Sequence, residues 1–180
     1  MDRELEQELI DKVKRDPYVL EFIQEQTEDM CLEAVRIDGY TLRYVKEQTE
    51  KICLEAVKQY PLALKFVKDQ TEEMCLEAVK QEGNTLSYVK DQTMRVCLAA
   101  VNNNTNSMCF IRLNSMEINN ALSLLKVYVD HGKRDKSILT RMIKKYNSEI
   151  FVDFYTKYNL WKYVDFSALT DELIKYSMSL

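Results

Sequence analysis

Glycine, proline and histidine are all scarce in this sequence. Its 180 residues include three glycines, two prolines and one histidine. This composition is too poor in turn-forming residues for a flexible linker or a β-rich fold. No apolar run approaches the roughly 20 residues that a membrane-spanning helix needs, and the acidic stretch at residues 1–8 lacks the pattern of a signal peptide. We therefore expect an intracellular, cytoplasmic protein that is not secreted and has no membrane partner.

Charged residues make up 30% of the chain and hydrophobic residues 46%, with a net charge of −4. That balance is typical of a folded globular protein and argues against a disordered one. The charge is uneven, because residues 1–103 carry a net charge of −7 and residues 104–180 a net charge of +3. The five cysteines, in a chain without a secretion signal, are expected to be free thiols in a reducing compartment.

A 22-residue repeat organises the first part of the chain. The pair Gln-Thr recurs with this period, and so does a single cysteine. A fixed period of this kind is typical of stacked repeat proteins. The repeated positions are Gln26-Thr27, Gln48-Thr49, Gln70-Thr71 and Gln92-Thr93, and then Cys31, Cys53, Cys75 and Cys97.

Each unit contains two apolar patterns with spacings of three and four residues, which predict two short helices. Proline or glycine precedes the first helix, and the threonine of Gln-Thr can cap the second. Helices of about two to three turns are unstable alone in water, so the units must stack. The sequence therefore predicts an all-α fold. It is a short α-solenoid of the right-handed type, built from 22-residue helix-turn-helix repeats with a non-repetitive helical C-terminal cap.

The repeat pattern divides the chain into four parts. Residues 1–16 are predicted to be an N-terminal capping helix, and residues 17–104 to be four repeats. Residues 105–127 read as a degenerate fifth repeat in which Ser115 takes the place of the capping threonine. Residues 128–180 are predicted to be a C-terminal helical cap.

The helices predicted beyond the fourth repeat do not follow the period. The first of them should end at Gly132, because glycine commonly follows the last residue of a helix. The last two are rich in aromatic residues and should close the open face of the array. Their predicted positions are near residues 116–129, 134–146, 148–164 and 168–178.

The string Gln-Thr-Glu-x-x-Cys-Leu-Glu-Ala-Val-Lys occurs at residues 48–58 and again at residues 70–80. It resembles a short helical repeat domain of unknown function that is abundant in large DNA viruses of protists and also occurs in some bacteria. The resemblance covers residues 17–104. It implies a helical solenoid in an intracellular or viral setting, such as the cytoplasm of a virus-infected cell. It implies no activity, no cofactor and no catalytic residue.

The four aligned cysteines are the first candidates for metal or redox chemistry. Equivalent atoms in neighbouring units should lie about one helix layer apart, roughly 8–10 Å. A zinc site needs sulfurs at about 2.3 Å from the metal, and a disulfide needs Cα atoms within about 7 Å. We therefore expect buried core cysteines, with no metal and no cofactor.

The four glutamines and the single histidine are the other polar candidates. The glutamines either line a recognition surface or join the turns of successive units by amide hydrogen bonds, and we favour the second. His131 follows Asp130, but adjacent residues on a helix do not face each other. No phosphate-binding loop, nucleophile elbow or zinc-protease motif is present. We therefore expect no enzymatic activity.

Two charged surfaces are candidate binding sites. One acidic residue per unit at a fixed offset predicts a negative ridge that attracts a basic protein partner, unless it only solubilises the protein. A basic stretch at residues 133–145 could bind nucleic-acid phosphates, unless it is only a solvated helix face. The acidic residues are Glu25, Glu47, Asp69 and Asp91, and the basic residues are Lys133, Arg134, Lys136, Arg141, Lys144 and Lys145.

These features favour a non-enzymatic interaction or scaffold protein that binds another protein through its stacked helices. A nucleic-acid-associated protein that uses residues 133–145 is the second hypothesis. An enzyme built on the C-terminal half is the third, and only Asp130-His131 points to it.

Overall fold

The structure is a computed structural model that describes residues 3–146 and 148–164, and every regular element in these ranges is helical. The chain forms two compact units, Met1–Asn104 and Thr105–Leu180. Among the described residues, no helix is both long and apolar enough to cross a membrane.

The first compact unit alternates α-helices with 3₁₀ helices. Each 3₁₀ helix of this unit packs against the α-helices that precede and follow it in the chain, and neighbouring 3₁₀ helices also pack together. The elements are α1 (Arg3–Arg15), η1 (Pro17–Phe22), α2 (Glu28–Ile37), η2 (Gly39–Tyr44), α3 (Glu50–Gln59), η3 (Pro61–Phe66), α4 (Glu72–Gln81), η4 (Gly83–Tyr88) and α5 (Met94–Asn103).

The predicted all-α array of 22-residue helix-turn-helix units is confirmed. Each of the four units consists of a six-residue 3₁₀ helix and a ten-residue α-helix. A 3₁₀ helix rises about 2.0 Å per residue and an α-helix about 1.5 Å. Six residues of the first kind therefore span about 12 Å, close to the 15 Å or so of the α-helix beside them.

Threonine caps the α-helix of each of the four units, as the sequence predicts. The Thr49 hydroxyl accepts a hydrogen bond from the Ile52 amide, with Oγ1 and N 3.4 Å apart, and the backbone of Thr49 is extended. Equivalent bonds cap α2, α4 and α5 at 3.3 to 3.4 Å. Because an uncapped helix leaves four amides without partners, these threonines fix where each α-helix begins.

The apolar stripe of each α-helix is buried in the array. In α3, the side chains of Ile52, Cys53, Ala56 and Val57 are between 0% and 3% exposed. In α1, Val13 is fully buried and corresponds to Val35 one period later. The structure thus places α1 as the α-helix of a unit whose 3₁₀ helix is absent from the described residues.

The second compact unit begins with another 3₁₀ helix, η5 (Thr105–Phe110), which lies one period after η4. The chain then makes an extra short turn, in which the Met116 amide donates to the Leu113 carbonyl over 3.2 Å. The predicted capping role of Ser115 is therefore wrong, because the next helix starts only after Glu117. The remaining elements are η6 (Leu113–Ser115), α6 (Ile118–Asp130), α7 (Lys136–Tyr146), α8 (Glu149–Lys157) and η7 (Trp161–Tyr163).

Glycine ends α6 as predicted, since Gly132 has a φ of +74°. The single helix predicted over 148–164 is wrong, because α8 ends at Lys157. Asn159 adopts a left-handed φ of 51°, and the Leu160 amide folds back on the Tyr155 carbonyl at 2.8 Å. Asparagine tolerates this conformation better than most residues and often ends a helix. The helix predicted near 168–178 lies outside the described residues.

Candidate functional site

A glutamine side chain bridges each pair of successive inner units. The Gln48 amide Nε2 donates to the Phe66 carbonyl over 3.0 Å, and its Oε1 accepts from the Lys68 amide over 2.9 Å. Gln26 and Gln70 make the same two bonds one period before and after. The prediction that these glutamines join successive units is confirmed. We call this arrangement the glutamine clamp.

The aligned cysteines lie behind the glutamine clamp. All four are buried free thiols, and three donate to the clamp Oε1 of their own unit with S···O distances of 3.7 to 3.8 Å. Burial raises the pKa of all four thiols to about 11. They are therefore neutral donors at physiological pH, which makes them poor nucleophiles. Within the ranges described, no cluster of three or more His, Cys, Asp or Glu residues is arranged to hold a metal.

Lysines in the inter-helix turns form a second connection, which sequence reasoning missed. The Lys46 ammonium donates to the carbonyls of Ile23 and Gln24 at 3.1 and 2.8 Å. Lys68 and Lys90 each reach back in the same way to the preceding turn. The only signal in the sequence is that lysine recurs with the same period, just before the acidic position.

The four predicted acidic residues are all exposed and lie in the turns between each 3₁₀ helix and the following α-helix. Three of them, Glu47, Asp69 and Asp91, directly follow a turn lysine. Positive and negative groups therefore alternate along this edge of the array. The negative potential of the row is weaker than carboxylates alone would produce.

A third inter-unit contact forms where a 3₁₀ helix begins with glycine and cannot form where it begins with proline. The Gly39 amide donates to the Gln59 side chain, and the Gly83 amide donates to Asn103 Oδ1 at 2.8 Å. Pro61 occupies the same position but has no amide hydrogen, and Gln81 there bonds Glu77 at 2.8 Å instead. A Cβ atom on Gly39 would lie 2.3 Å from the Ala56 carbonyl oxygen. The backbone therefore needs glycine at that junction.

The exposed side of the 3₁₀ helices carries aromatic rings and cations, which sequence reasoning also missed. Tyr40 packs edge-on against Phe66, with ring centroids 5.3 Å apart. The Arg43 guanidinium lies over the rings of Tyr40 and Tyr44 at 5.1 and 5.2 Å, and the Lys65 ammonium lies over Phe66 at 4.7 Å. We call this surface the aromatic face. The signal in the sequence is an aromatic residue at the end of each 3₁₀ helix of the first compact unit, at Phe22, Tyr44, Phe66 and Tyr88.

Tyr18 extends the aromatic face to the first unit. Its ring contacts that of Tyr44, with centroids 6.2 Å apart, and its hydroxyl donates to the Asp38 carboxylate. That hydrogen bond raises the pKa of Tyr18 to about 12. Asp38 also caps η2, because its carboxylate accepts the Tyr40 amide at 2.9 Å. One carboxylate therefore orients two of the rings.

In the predicted basic stretch, the arginines and the lysines have different roles. Arg134 donates to the Val129 carbonyl at 2.8 Å, and Arg141 donates to the carbonyls of Met108 and Cys109 at 2.7 and 2.9 Å. Both arginines thus hold backbone of their own compact unit, whereas the four lysines, Lys133, Lys136, Lys144 and Lys145, are exposed. Arginine forks are the preferred phosphate ligands, so this surface is less suited to nucleic acid than its composition suggested.

The single histidine lies at the end of α6. His131 Nδ1 is 2.7 Å from the Val127 carbonyl oxygen, within the last turn of the helix. This is the position where a histidine interacts favourably with the helix dipole.

Comparison with known proteins finds a domain similar to the repeats but assigns no activity to it. No curated protein and no solved structure matches the chain. A family model described as a domain of unknown function (DUF4116) matches twice, at residues 27–70 and 49–95. The first match runs from a capping threonine to a clamp glutamine, and so covers two full periods. Over residues 27–95, the chain is thus similar to a short repeat domain of unknown function.

Proposed function

We propose that the protein is a non-enzymatic scaffold that binds another protein through the aromatic face of its repeats. One observation carries this proposal. The residues that hold the array together are nearly the same in every unit, whereas the outward positions of the 3₁₀ helices differ from unit to unit.

The constant positions are the capping threonine, the clamp glutamine and the buried cysteine, which recur in all four units. The fifth residue of each 3₁₀ helix in these units is instead Glu21, Arg43, Lys65 or Ser87. Each of these four side chains is at least partly exposed. A repeat that needed only stability would not require different chemistry at equivalent exposed positions. A repeat that recognises a particular partner would.

The composition of the aromatic face favours a protein partner over nucleic acid. Tyrosine and arginine are, with tryptophan, the residues most enriched at the energetic centres of protein interfaces. The surrounding repeats are acidic, with a net charge of −7 over residues 1–103, and that field repels nucleic-acid phosphates. The acidic row Glu25, Glu47, Asp69 and Asp91 would then flank the partner and favour one with basic groups at its edge. The cytoplasm of a virus-infected cell, implied by the family resemblance, is the setting we propose.

The test compares two variants of equal charge change in capture from the native host extract. The face variant carries Arg43→Glu, Lys65→Glu and Tyr88→Ser. The control variant carries Lys58→Glu and Lys80→Glu, which lie exposed on the α-helices. We expect a defined protein to bind the parent and the control, and to bind the face variant at least tenfold less. If the same protein binds all three alike, or if nucleic acid is what the parent retains, the proposal is wrong.

A further inference from the structure

A cleft in the second compact unit is lined by three cations. It has a volume of about 420 Å³, within the range of pockets that bind small molecules. One wall comes from the turn between η5 and η6, and the other comes from α7. We call it the cationic cleft. No aspartate or glutamate is among the lining residues, which are Ile111, Arg112, Leu113, Asn114, Arg141 and Lys145.

Three hydrogen bonds hold the two walls of the cationic cleft together. Arg141 of α7 donates to the carbonyls of Met108 and Cys109 at 2.7 and 2.9 Å, just before the turn that forms the other wall. Further along α7, the Tyr146 hydroxyl donates to the Met116 carbonyl at 3.1 Å, just after that turn. The helix is therefore fastened on both sides of the turn, so the cleft is formed before any ligand arrives.

The positive charge around the cationic cleft is both concentrated and unbalanced. Arg141 and Lys145 are one helical turn apart and share a face of α7, and Arg112 lies on the other wall. Arg141 bonds two neutral carbonyls, and its Nε atom is buried without a hydrogen-bond partner in residues 3–146 and 148–164. Like charges around one cavity repel each other, and an anion between them removes this repulsion.

The distribution of this charge favours a small ligand over nucleic acid. The exposed lysines Lys133, Lys136 and Lys144 belong to the same basic stretch but do not line the cationic cleft. A nucleic acid needs cations along an extended track, because its backbone phosphates are contacted one after another. In the cleft, the cations instead converge on one concave site, whose walls focus the field.

The number of cations indicates the charge of the ligand. A single carboxylate would balance one of the three. A phosphate monoester carries about 1.5 to 2 negative charges at pH 7 and offers three acceptor oxygens. Arginine and lysine both bind phosphate, and the exposed Asn114 side chain adds a neutral amide donor on the same wall as Arg112. One or two phosphate groups therefore match the cleft better than a carboxylate does.

We propose that the cationic cleft binds a small molecule through its phosphate groups. Arg112 and Lys145 contact the phosphate oxygens from the two walls, and Arg141 supplies a positive charge that its backbone bonds keep in place. The site is separate from the aromatic face, which lies in the first compact unit. Either proposal can therefore fail without the other.

The first experiment titrates pyrophosphate into the full chain and follows the amide NMR signals. We expect signals of residues 111–114 and 141–145 to shift in a saturable way. The cleft variant, Arg112→Gln with Lys145→Gln, should bind at least tenfold more weakly. A lysine control, Lys133→Gln with Lys144→Gln, removes the same charge at exposed positions outside the cleft and should bind within twofold of the parent. No saturable shift in the parent, or equal weakening in the two variants, would overturn the proposal.

A charge-conserving variant separates binding from a loss of structure. Arg141 is left unchanged, because its bonds hold the turn in place. Lys145→Arg keeps the charge and adds a fork that suits phosphate, so it should bind pyrophosphate at least as tightly as the parent. Lys145→Gln should bind several-fold more weakly, and circular dichroism checks that both variants remain folded. If both variants weaken binding equally, Lys145 does not act through its charge and the proposal is wrong.

Two other anions test the competing ligands. Citrate represents a carboxylate ligand, and a short single-stranded oligothymidine represents nucleic acid. We expect pyrophosphate to bind at least tenfold more tightly than citrate. We expect any binding of the oligonucleotide to weaken as much in the lysine control as in the cleft variant. Citrate that binds as tightly as pyrophosphate, or an oligonucleotide that binds more tightly and depends on the cleft residues, contradicts the proposal.

Discussion

The Cys53 thiol donates a hydrogen bond to the Oε1 atom of Gln48, with sulfur and oxygen 3.7 Å apart. The same oxygen accepts the Lys68 amide of the next unit, and Gln48 Nε2 donates to the Phe66 carbonyl. The buried cysteine thus helps to orient the side chain that joins two units. This explains why cysteine and glutamine recur with one period, which burial alone would not require.

Replacing Gln48 by leucine should destabilise the array by about 1–3 kcal/mol. The change keeps a similar volume but leaves the Phe66 carbonyl and the Lys68 amide without their partner, at about 0.5–1.5 kcal/mol for each hydrogen bond. Urea unfolding measures the loss. Glu47→Gln is the control, since this neighbouring side chain is exposed. If Gln48→Leu is no less stable than this control, the clamp has no energetic role.

The aligned thiols should make stability fall at alkaline pH. Burial raises the pKa of each from its usual value near 9 to about 11. Their contribution is therefore complete below about pH 9 and is lost as the pH rises through 11, because the unfolded thiols ionise first. A variant with all four cysteines changed to alanine should show a shallower decline between these values. A parallel decline in the two proteins would contradict this account.

Thiol reactivity gives an independent check at neutral pH. Cys109 is the exposed cysteine, whereas the other four are buried. We expect one thiol per folded chain to react quickly with a colorimetric disulfide reagent, and the remaining four only on unfolding. In Cys109→Ser the fast phase should disappear.

The Gly39 position should tolerate no side chain. An added Cβ would lie 2.3 Å from the Ala56 carbonyl oxygen and 2.8 Å from the Tyr60 Cβ, so the two units must move apart. We expect Gly39→Ala to cost about 1–3 kcal/mol, in the range of overpacked sites. Pro61→Ala is the matched control at the same position of the next unit. If thermal unfolding shows the same loss of stability in Gly39→Ala and Pro61→Ala, the close approach at Gly39 does not limit the stability of the array.

The period of the sequence predicted the unit boundaries well. In the four units, proline or glycine begins each 3₁₀ helix and threonine caps each α-helix, because both signals act within a few residues. The sequence could not predict that the first helix of each unit is a 3₁₀ helix, since spacings of three and four fit both a 3₁₀ helix and an α-helix over six residues. Where the repeat degenerates, the signals weaken. The extra turn before α6 and the left-handed Asn159 were both missed.

Contacts between units were harder to predict than the units themselves. The clamp could be favoured because Gln-Thr is constant, but the bonds of Lys46 could not. From the sequence, a lysine in a turn is expected to be a solvated charge. Only the stacking of the units brings a carbonyl of the preceding turn within hydrogen-bonding distance of its ammonium group. The aromatic face was hidden for the same reason, because rings from different units meet only when the units stack.

A charge placed inside one unit should damage its neighbours. Val57 is fully buried in α3, so Val57→Asp would bury an unpaired carboxylate at a cost of several kcal/mol, roughly 3–5. In a stacked array each unit depends on the next, so hydrogen-exchange protection should also fall in residues 17–38 and 61–82. Lys58→Asp at the adjacent exposed position is the control. Protection lost within residues 39–60 alone would mean that the units are independent.

Neutralising the acidic row tests whether it contributes to recognition. The variant combines Glu25→Gln, Glu47→Gln, Asp69→Asn and Asp91→Asn. All four side chains are exposed in turns, so the fold and the urea midpoint should be almost unchanged. If the row attracts a basic partner, the association rate of the protein captured by the aromatic face should fall several-fold at low salt. The difference should vanish at about 0.5 M salt, where such charges are screened. The turn lysines oppose the carboxylates but also bond the preceding turn. A variant with Lys46→Gln, Lys68→Gln and Lys90→Gln should therefore bind faster than the parent at low salt, provided that circular dichroism shows its array intact. If neither variant changes the rate, the row is a solvated edge and recognition depends on the aromatic face alone.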